Sequence, residues 1–344
     1  MRFETITIKD IAKALGLSTS TVSRALRDSY EIGIETKKRV LDYAEKMNYK
    51  PNQLALSLRE RTSKSIGVVV SEISNTFFSK TIDGIESIAY SRGYNVIITQ
   101  THESSAREVA NVMHLASRSV DGILISLSSE TTDVSHLQEL YGKNMPIVFF
   151  DRVANDIDTH KVISDNYQGA YDAVSHLIEN GYKRIAFIGS AQHLSNIQER
   201  YKGFEDAHAD AGLKVSNDYV KYCLHGGLIE EELDLALSGI LNSKPKAQAV
   251  LVCGDSLTTN CLRYFKKHKV SIPDDIAVIG FSNHDLAEVL NPALTTVYQP
   301  AFKIGGYATE LLLQMIESKS EIKKFEYKKF PCELFVRDSA PKKK

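Results

Sequence analysis

The chain has 344 residues, of which 43% are hydrophobic and 25% charged, and its formal net charge is −1. This length is too great for one compact core and predicts two or three domains. The composition excludes disordered, collagen-like and coiled-coil chains, and no apolar run approaches the roughly 20 residues of a membrane-spanning helix. The first residues lack the apolar core of a signal peptide, and the four cysteines form no CxxC pair. We therefore expect a cytoplasmic protein with reduced thiols and no membrane association.

Charge is distributed unevenly along the chain. Residues 1–64 carry 13 Lys and Arg against 8 Asp and Glu, whereas the remaining residues carry 29 against 35. A basic head on an acidic body predicts that only the head meets a polyanion. Taken alone, such a bias is also typical of an ordinary solvated surface.

The first 50 residues predict three short helices. Apolar residues recur at helical spacing over Ile8–Leu15, and Gly16 ends that helix at a position suited to positive φ. Ser18 is a suitable N-cap for a second helix, and a third is expected over about residues 35–48. Two helices joined by a tight glycine turn, with a third helix behind them, predict a helix-turn-helix DNA-binding domain over residues 1–50.

The rest of the chain has a different pattern. One or two helical turns and a polar linker are expected over residues 51–64. From residue 65, β-rich apolar runs such as IGVVV, YNVIITQ and AQAVLVCG alternate with helical patterns. This alternation predicts βαβ units with helices on both faces of parallel sheets. The strands are too many for one sheet, so we predict an α/β body of two doubly wound parallel-sheet subdomains with a cleft between them.

Enzymatic signatures are absent from the sequence. There is no GxGxxG after a strand, no GxxxxGK[ST], no HExxH and no GxSxG. The ten histidines have no metal-binding partner at helical or turn spacing, and paired carboxylates lie in turn or helix-start contexts. We therefore expect no catalytic residue, no metal and no cofactor.

Polar and aromatic residues follow the predicted strands, where open α/β sheets bind ligands. Such side chains suit a small polyhydroxylated or heterocyclic ligand. Each has another possible role: Asp255 can cap a helix, Arg200 can close an ion pair, and two phenylalanines can belong to the core. Their shared position at strand ends favours binding. The residues are Asn75, Phe77, Phe78, Ser126, Ser128, Asp151, Arg152, Asn196, Arg200 and Asp255.

A series of motifs runs through nearly the whole chain. The head contains TIKDIAKALGLSTSTVSRAL and ETKKRVLDYAEKMNYKPNQLALSLR, and the body contains IGVVVSEISNTFF, VDGIL, PIVFFDR, ERYKGF, IPDDIAVIGFSN and PALTTVYQP. In this order they resemble the lactose/galactose repressor (LacI/GalR) family of bacterial transcription factors. The resemblance implies a DNA-binding head, a hinge helix and linker over residues 51–64, and an effector-binding and dimerisation domain over residues 65–344, similar to periplasmic sugar-binding proteins. Its subdomains are expected at roughly 65–163 plus 295–325, and 164–294 plus 326–340.

The resemblance also implies which residues contact DNA. Base-reading positions of the family match Thr19, Ser20 and Arg24, at the start of a recognition helix that enters the major groove. Phosphate-contact positions are matched by a further set of polar residues. These are Thr7, Ser18, Thr21, Ser23 and Asn52.

In the hinge, the minor-groove wedge of the family matches Leu58, with Ala55 one turn earlier. The alternative is that Leu54 and Leu58 merely form an amphipathic pair. Leu56 departs from the family, because many members carry a polar or basic residue there.

Effector-binding positions of the family are matched in the body by Phe78, Asp151, Asn196, Arg200 and Asp255, and less closely by Phe77, Ser126 and Ser128. Two departures leave the ligand class open. Thr76 stands where proline is common, and the stretch HGGLIEEELD lacks an aromatic residue that many members stack on their ligand. A sugar is the first choice, and a sugar phosphate or a protein corepressor are alternatives.

These observations predict a transcriptional regulator, expected to be a repressor, that binds a pseudo-palindromic double-stranded DNA operator under the control of a small effector. The chain ends seven residues after Arg337, which leaves no room for a tetramerising coil, and we expect a homodimer. A transporter's solute-binding protein would share the body but carry a signal peptide and no basic head. An enzyme acting on a sugar or nucleoside in the cleft would need an acid/base or nucleophile pair.

Overall fold

The structure is a computed structural model that describes residues 6–49, 62–318, 322 and 324–343. It divides into two compact units, one ending at Ser63 and one beginning at Lys64. None of the described helices is both long and apolar enough to cross a bilayer. The predicted hinge contacts fall outside the described residues and stay predictions. They are Asn52, Ala55 and Leu58, together with Leu54 and Leu56.

The head is a three-helix unit whose turns follow from local sequence signals. Thr7 caps α1 in a reciprocal capping box with Asp10, and Gly16 ends the helix at φ 66°. Val22, on α2, is among the buried residues of a small core shared by all three helices. The helices are α1 (Ile8–Leu15), α2 (Thr19–Ala25) and α3 (Ile34–Lys46), the last ending two residues before the predicted boundary.

In the body, the first sheet has the order β11-β5-β4-β3-β1-β2, and all neighbouring strands are parallel. Its strands are β1 (Ser65–Val70), β2 (Asn95–Gln100), β3 (Gly122–Ile125), β4 (Ile147–Phe150), β5 (Lys161–Ser164) and β11 (Tyr327–Phe330). The helices of this first subdomain are α4 (Thr76–Ser91), α5 (Ser105–Ser117), α6 (Ser135–Gly142) and α11 (Ala301–Glu317). Apolar clusters cover both faces of the sheet, as buried parallel strands require.

The second sheet has the order β12-β10-β9-β8-β6-β7 and is parallel except where β12 runs against β10. Its strands are β6 (Ile185–Gly189), β7 (Val220–Tyr222), β8 (Ala249–Val252), β9 (Ala277–Phe281), β10 (Thr295–Tyr298) and β12 (Glu333–Phe335). The helices of this second subdomain are α7 (Asn166–Glu179), α8 (Ser195–Asp210), α9 (Glu230–Leu241) and α10 (Asp255–Lys267). It too has an apolar cluster on each face.

The predicted subdomain boundaries differ from the structure near the C-terminus. The expectation that residues 295–325 belong to the first subdomain holds for α11, but β10 pairs with β9 in the second sheet. The expectation that residues 326–340 belong to the second subdomain holds for β12, but β11 pairs with β5 in the first sheet. The chain therefore crosses between the subdomains after β5, after β10 and after β11. Sheet membership is decided by the strand that lies alongside, which is the preceding strand for β10 and a distant one for β11, and the apolar pattern of a single strand does not encode this choice.

Close backbone contacts join helices within each subdomain. A Cβ at Gly84 would lie 2.1 Å from the carbonyl oxygen of Phe302, and one at Gly305 would lie 2.0 Å from that of Thr81, so α4 and α11 touch through their backbones. In the second subdomain, a Cβ at Gly203 would lie 2.3 Å from the carbonyl oxygen of Tyr167, between α8 and α7. Only glycine permits these approaches.

Candidate functional site

The start of α2 is organised by Ser18. Its hydroxyl accepts a hydrogen bond from the backbone amide of Thr21 at 3.0 Å, and it lies 2.8 Å from the hydroxyls of both Ser20 and Thr21. The cap satisfies an amide that the first helical turn cannot bond internally. This leaves Thr19 and Ser20 exposed at the helix N-terminus.

Arg24 lies one turn after Ser20 on α2, so the two side chains share a face of the helix. The side chain of Arg24 is 53% exposed, and its guanidinium is 2.8 Å from the carboxylate of Glu31, in the loop that follows α2. The predicted base-reading residues are therefore all accessible. Arg24 is held in an exposed ion pair that solvent weakens.

Thr7 and Ser23, two further predicted phosphate contacts of the head, already have hydrogen-bond partners within the protein. The Thr7 hydroxyl donates to Asp10 at 2.7 Å, and this hydrogen bond holds the pKa of Asp10 below its ordinary value. Ser23 accepts from the Arg27 guanidinium through its carbonyl at 2.9 Å and through its hydroxyl at 3.0 Å. The Ser23 hydroxyl hydrogen remains available to donate to a phosphate.

The body contains a cavity of about 50 Å³ between its two subdomains. It is lined mainly by residues that follow strands of the two sheets. The lining includes most of the predicted effector residues. They are Asn75, Phe77, Phe78, Asp151, Arg152, Asn196, Arg200 and Asp255, joined by Ser71, Glu72, Glu103, Ser190, Gly226, Leu228, Cys253 and Gln299 among others.

Direct hydrogen bonds close the cavity from one subdomain to the other. The amide of Phe77 donates to Asp255 Oδ2 at 2.9 Å, and Asn196 Nδ2 donates to Asp151 Oδ1 at 3.2 Å. At the margin, the amide of Val153 donates to the Ser195 hydroxyl at 3.1 Å. The structure is therefore that of a closed cleft.

Asp151 has an unusual backbone and an unusual environment. Its φ is 57°, in the left-handed region that few residues other than glycine adopt, and its side chain is buried. Burial raises the pKa of Asp151 above its ordinary value, although Arg152, Arg200 and Asn196 act in the opposite direction. Strained residues of this kind occur where the fold presents a group to a ligand.

Arg200 is buried and makes several hydrogen bonds within the body. Its guanidinium donates to Asn166 and to Gln299, each at 2.8 Å, and to the carbonyl of Cys253 at 3.2 Å. The guanidinium also lies over the ring of Phe281, 4.1 Å from its centroid. These contacts fix a cation at the floor of the cavity.

Glu103 and Arg152 form a buried ion pair that the sequence analysis did not identify. The guanidinium donates to both carboxylate oxygens, at 2.6 and 3.0 Å. Burial alone would raise the pKa of Glu103, but Arg152 and the amide of Ser129 outweigh it and hold the pKa below its ordinary value. Each residue follows a strand of the first sheet, so the strand-end rule applied to YNVIITQ would have found Glu103.

Three buried polar atoms in the cavity lining have no hydrogen-bond partner. They are Arg152 Nε, Ser190 Oγ and Asn196 Oδ1. Buried polar groups are nearly always paired, so these atoms point to a polar molecule that enters the cavity.

Two predicted effector residues lie outside the lining. The Ser126 hydroxyl donates to Asp151 Oδ2 at 3.4 Å, and the Ser128 hydroxyl lies 2.7 Å from that of Thr131. Ser126 and Ser128 therefore face neighbouring side chains. Ser190 and Gln299, which do line the cavity, directly follow β6 and β10 and carry the same positional signal.

The lining offers little for catalysis. Among the described residues that form it there is no histidine, and burial raises the pKa of the Cys253 thiol to about 12, which removes it as a thiolate nucleophile. In the described part of the chain, no group of three His, Cys, Asp or Glu is placed to hold a metal ion. The charged and polar side chains of the lining suit the binding of a small polar molecule.

Comparisons with known proteins agree with both parts of this description. A model described as bacterial regulatory proteins, lacI family, matches residues 7–52, and one described as periplasmic binding protein-like domain matches residues 174–340. The HTH-type transcriptional repressor PurR of Vibrio campbellii is 32% identical over 337 residues, covering 98% of this chain and 99% of the relative. That of Photobacterium profundum is 33% identical over 334 residues, covering 97% and 98%.

Solved structures show the same fold. A LacI family regulator from Enterococcus faecium with bound ribose is 27% identical, with a TM-score of 0.70, covering 81% of this chain and 100% of that one. A CelR–cellobiose complex is 26% identical, with a TM-score of 0.71, covering 97% and 99%. The lac repressor dimer bound to operator and ONPF, 21% identical, has a TM-score of 0.78 and covers 98% and 100%, which shows the shared fold.

Proposed function

The chain belongs to the lacI family of bacterial regulatory proteins, and from this premise we propose that it is a sequence-specific transcriptional repressor controlled by a small effector. The helical head binds the DNA operator, and the cavity of the body binds the effector. The observation that carries the proposal is the polar cavity itself. Its lining contains three buried polar atoms without a hydrogen-bond partner, Arg152 Nε, Ser190 Oγ and Asn196 Oδ1, and the buried carboxyl of Asp151, whose backbone is in the left-handed region.

In the head, α2 acts as the recognition helix. Its accessible N-terminal residues, Thr19 and Ser20, lie one turn from Arg24, whose fork of donors suits the O6 and N7 atoms of guanine. Ser18, Thr21 and Ser23 offer hydroxyls to phosphates and set the position of the helix in the major groove. Thr7 joins them only when its hydroxyl releases Asp10. Glu31 must release Arg24 when the arginine engages a base.

The charges of the cavity favour a neutral sugar over a sugar phosphate. Both cations of the described lining are already engaged, Arg152 by Glu103 and Arg200 by neutral acceptors. A phosphate would add negative charge to a lining that already has four carboxylates, Glu72, Glu103, Asp151 and Asp255, against these two arginines. A sugar hydroxyl can donate to these carboxylates and also accept from Arg152 Nε.

Hydrogen bonds between the subdomains close the cavity, so the cleft must open to admit a sugar. The cleft then closes again over the ligand, and the Asp151–Asn196 and Phe77–Asp255 contacts stabilise this closed form together with the contacts of the ligand. The resulting change in the angle between the subdomains is the signal passed to DNA binding. Ribose and cellobiose, held by two similar proteins, support this ligand class.

The protein acts as a homodimer, because one helix-turn-helix reads too few base pairs to find a genomic site. The edge of the first sheet supplies an apolar surface for this contact. Edge strand β2 exposes Ile97 and Ile98, and the neighbouring helices expose Tyr90, Val109 and Met113, with Tyr90 78% accessible. An uncovered apolar edge of this kind is usually paired with a partner.

A thermal-shift screen of the full chain tests the effector. Neutral sugars, including D-ribose and cellobiose, are compared with their phosphates. We expect one neutral sugar to raise the melting temperature with concentration, by the free energy RT ln(1 + [L]/Kd), and to be recovered chemically unchanged. Stabilisation only by phosphorylated sugars, or conversion of the sugar, would contradict the proposal.

Operator binding tests the link between the two sites. An operator selected from random DNA by the full chain is titrated by fluorescence anisotropy with and without the sugar found in the screen. We expect Arg200→Ala to bind the operator as the wild type does and to lose the response to sugar. Lys202→Ala, an exposed change on the same helix, is the control and should keep the response. An unaltered response in Arg200→Ala would remove Arg200 from the effector site.

A further inference from the structure

His225 lies between two carboxylates that belong to different subdomains. Its Nδ1 is 2.7 Å from Glu232 Oε1, on α9 of the second subdomain, and its Nε2 is 3.3 Å from Glu130 Oε1, in the loop after β3 of the first. The amide of His225 also donates to Glu232 Oε2 at 3.1 Å, and Glu130 Oε2 accepts from the amide of Ser105 at 3.1 Å. Both carboxylates are therefore held in place, and the imidazole ring links the subdomains.

The ring needs two protons to make both contacts. An ionised carboxylate has no hydrogen to donate, so each ring nitrogen that faces one must carry a proton itself. In a neutral imidazole, the second nitrogen would present a lone pair to a negative oxygen. Both contacts are favourable together only when His225 is an imidazolium ion. In agreement, hydrogen bonds to Glu232 and Glu130 raise the pKa of His225 above its ordinary value, against the effect of partial burial.

Other titratable groups near the His225 ring are paired with different residues or stay neutral. Glu103 lies beside the following residue, Gly226, but is held by Arg152. Lys267 reaches Glu230, at the start of α9. In the turn of His225 itself, burial raises the pKa of the Cys223 thiol to about 12, so it stays neutral. Among the described residues, Glu130 and Glu232 are thus the charges that act on the ring.

The turn that carries His225 is also part of the cavity wall. Gly226 and Leu228 line the cavity, and the amide of Leu228 donates to the carbonyl of His225 at 3.0 Å. Movement of His225 away from Glu130 therefore moves this wall. The contact lies where it can influence the opening of the cleft.

We propose that His225 and Glu130 form a proton-linked clasp that favours the closed cleft and so strengthens effector binding at lower pH. This inference rests on the proposed function, because it assumes that the cavity binds an effector. Opening leaves His225 with Glu232 alone, so closure takes up protons. The pKa of His225 is therefore higher in the closed form than in the open form. The closed form is fully stabilised at pH values below the pKa of His225 in the open form. This stabilisation is lost as the pH rises through the pKa of His225 in the closed form.

A histidine NMR titration of the ligand-free full chain tests the clasp directly. The Cε1 proton of His225, assigned with His225→Gln, should titrate above the ordinary value of about 6.5. Glu130→Gln should lower this pKa, because the charge is removed while the amide oxygen still accepts from Ser105. The control is Glu139→Gln, which removes a carboxylate of α6 that pairs with Lys143. This change should leave the pKa of His225 unchanged.

Calorimetry with D-ribose as the probe tests the consequence. We expect the wild type to bind several-fold more weakly at pH 8.5 than at pH 6, and Glu130→Gln to bind equally at both. The clasp is disproved if His225 titrates at its ordinary value and Glu130→Gln does not move it, or if both proteins show the same pH profile. If D-ribose binds neither protein, the proposed effector fails for this sugar, while the titration still decides the clasp.

Discussion

The backbone amide of Phe77 donates to Asp255 Oδ2 at 2.9 Å, which joins the first turn of α4 in one subdomain to the first residue of α10 in the other. The second oxygen of Asp255 accepts from the Ser282 hydroxyl at 2.6 Å and from the amide of Asn283 at 3.2 Å. One carboxylate thus serves donors from both subdomains. Its negative charge is also well placed at the N-terminus of α4, where the helix dipole favours an anion.

Replacing Asp255 with asparagine should weaken the closed cleft. The asparagine side chain has one acceptor oxygen and one NH₂ group. The NH₂ group would therefore face hydrogen-bond donors on one side, either the amide of Phe77 or the hydroxyl of Ser282 and the amide of Asn283. We expect affinity for the sugar identified in the screen to fall at least tenfold, about 1.4 kcal/mol. Asp274→Asn, an exposed change on the loop before β9, is the control. Equal calorimetric affinities for the two variants would exclude Asp255 from closure and from ligand binding.

Replacing Asp151 with asparagine should stabilise the fold while removing the effector response. Burial raises the pKa of Asp151, so its ionised form is disfavoured in the folded state. The stability that this carboxyl contributes is present below its unfolded pKa of about 3.9 and is lost as pH rises through the higher folded pKa. Asparagine has no such loss, and it tolerates a φ of 57°.

The Asp151→Asn variant should therefore melt a few degrees above the wild type at pH 8, with the gap narrowing as the pH falls through the folded pKa of Asp151. Thermal denaturation across this range is the measurement. Asp156→Asn, an exposed change in the same loop, should follow the wild type at every pH. A variant that is less stable than the wild type at pH 8 would show that the ionised carboxylate stabilises the fold.

Arg24→Ala should reduce the preference for operator over random DNA by about 1–3 kcal/mol, because a guanidinium that reads guanine is lost. Its salt-dependent binding to random DNA should persist, since other basic groups of the head remain. Anisotropy titrations with both DNAs at two salt concentrations measure this. Arg118→Ala, in the body, is the control. Unchanged discrimination in Arg24→Ala would mean that Arg24 does not read bases.

Much of the fold could be predicted because its signals are local. The Ser18 cap and the Gly16 turn need only a few neighbouring residues, and both are present in the structure. The alternation of strands and helices likewise predicted two parallel sheets. The assignment of β10 and β11 to their sheets was not predictable in this way. β11 pairs with β5, which is far away in sequence, and the apolar pattern of β10 does not show whether the chain stays beside β9 or crosses to the other sheet.

The candidate site could be predicted in part, through the rule that ligands bind at strand ends. The rule led to Asp151 and Asp255, which line the cavity. It could not foresee that the Ser128 side chain faces Thr131, because side-chain direction depends on packing. It also could not foresee that Glu103 would form an ion pair with Arg152. The two residues are 49 positions apart and meet only when β2 and β4 are placed in the sheet.

The contact between α7 and α8 gives a stability prediction that is independent of any ligand. A Cβ at Gly203 would lie 2.3 Å from the carbonyl oxygen of Tyr167, which belongs to a helix backbone and cannot rotate away. Gly203→Ala should therefore force the helices apart and destabilise the protein by about 1–3 kcal/mol, the usual range for overpacking. Gly239→Ala is the matched control: it is also helical, its nearest neighbour is the end of the flexible Lys221 side chain at 3.5 Å, and it should stabilise by about 0.5–1 kcal/mol through helix propensity. Thermal denaturation should thus move the two melting temperatures in opposite directions. If Gly203→Ala melts at or above the wild-type temperature, α7 and α8 do not approach as closely as described.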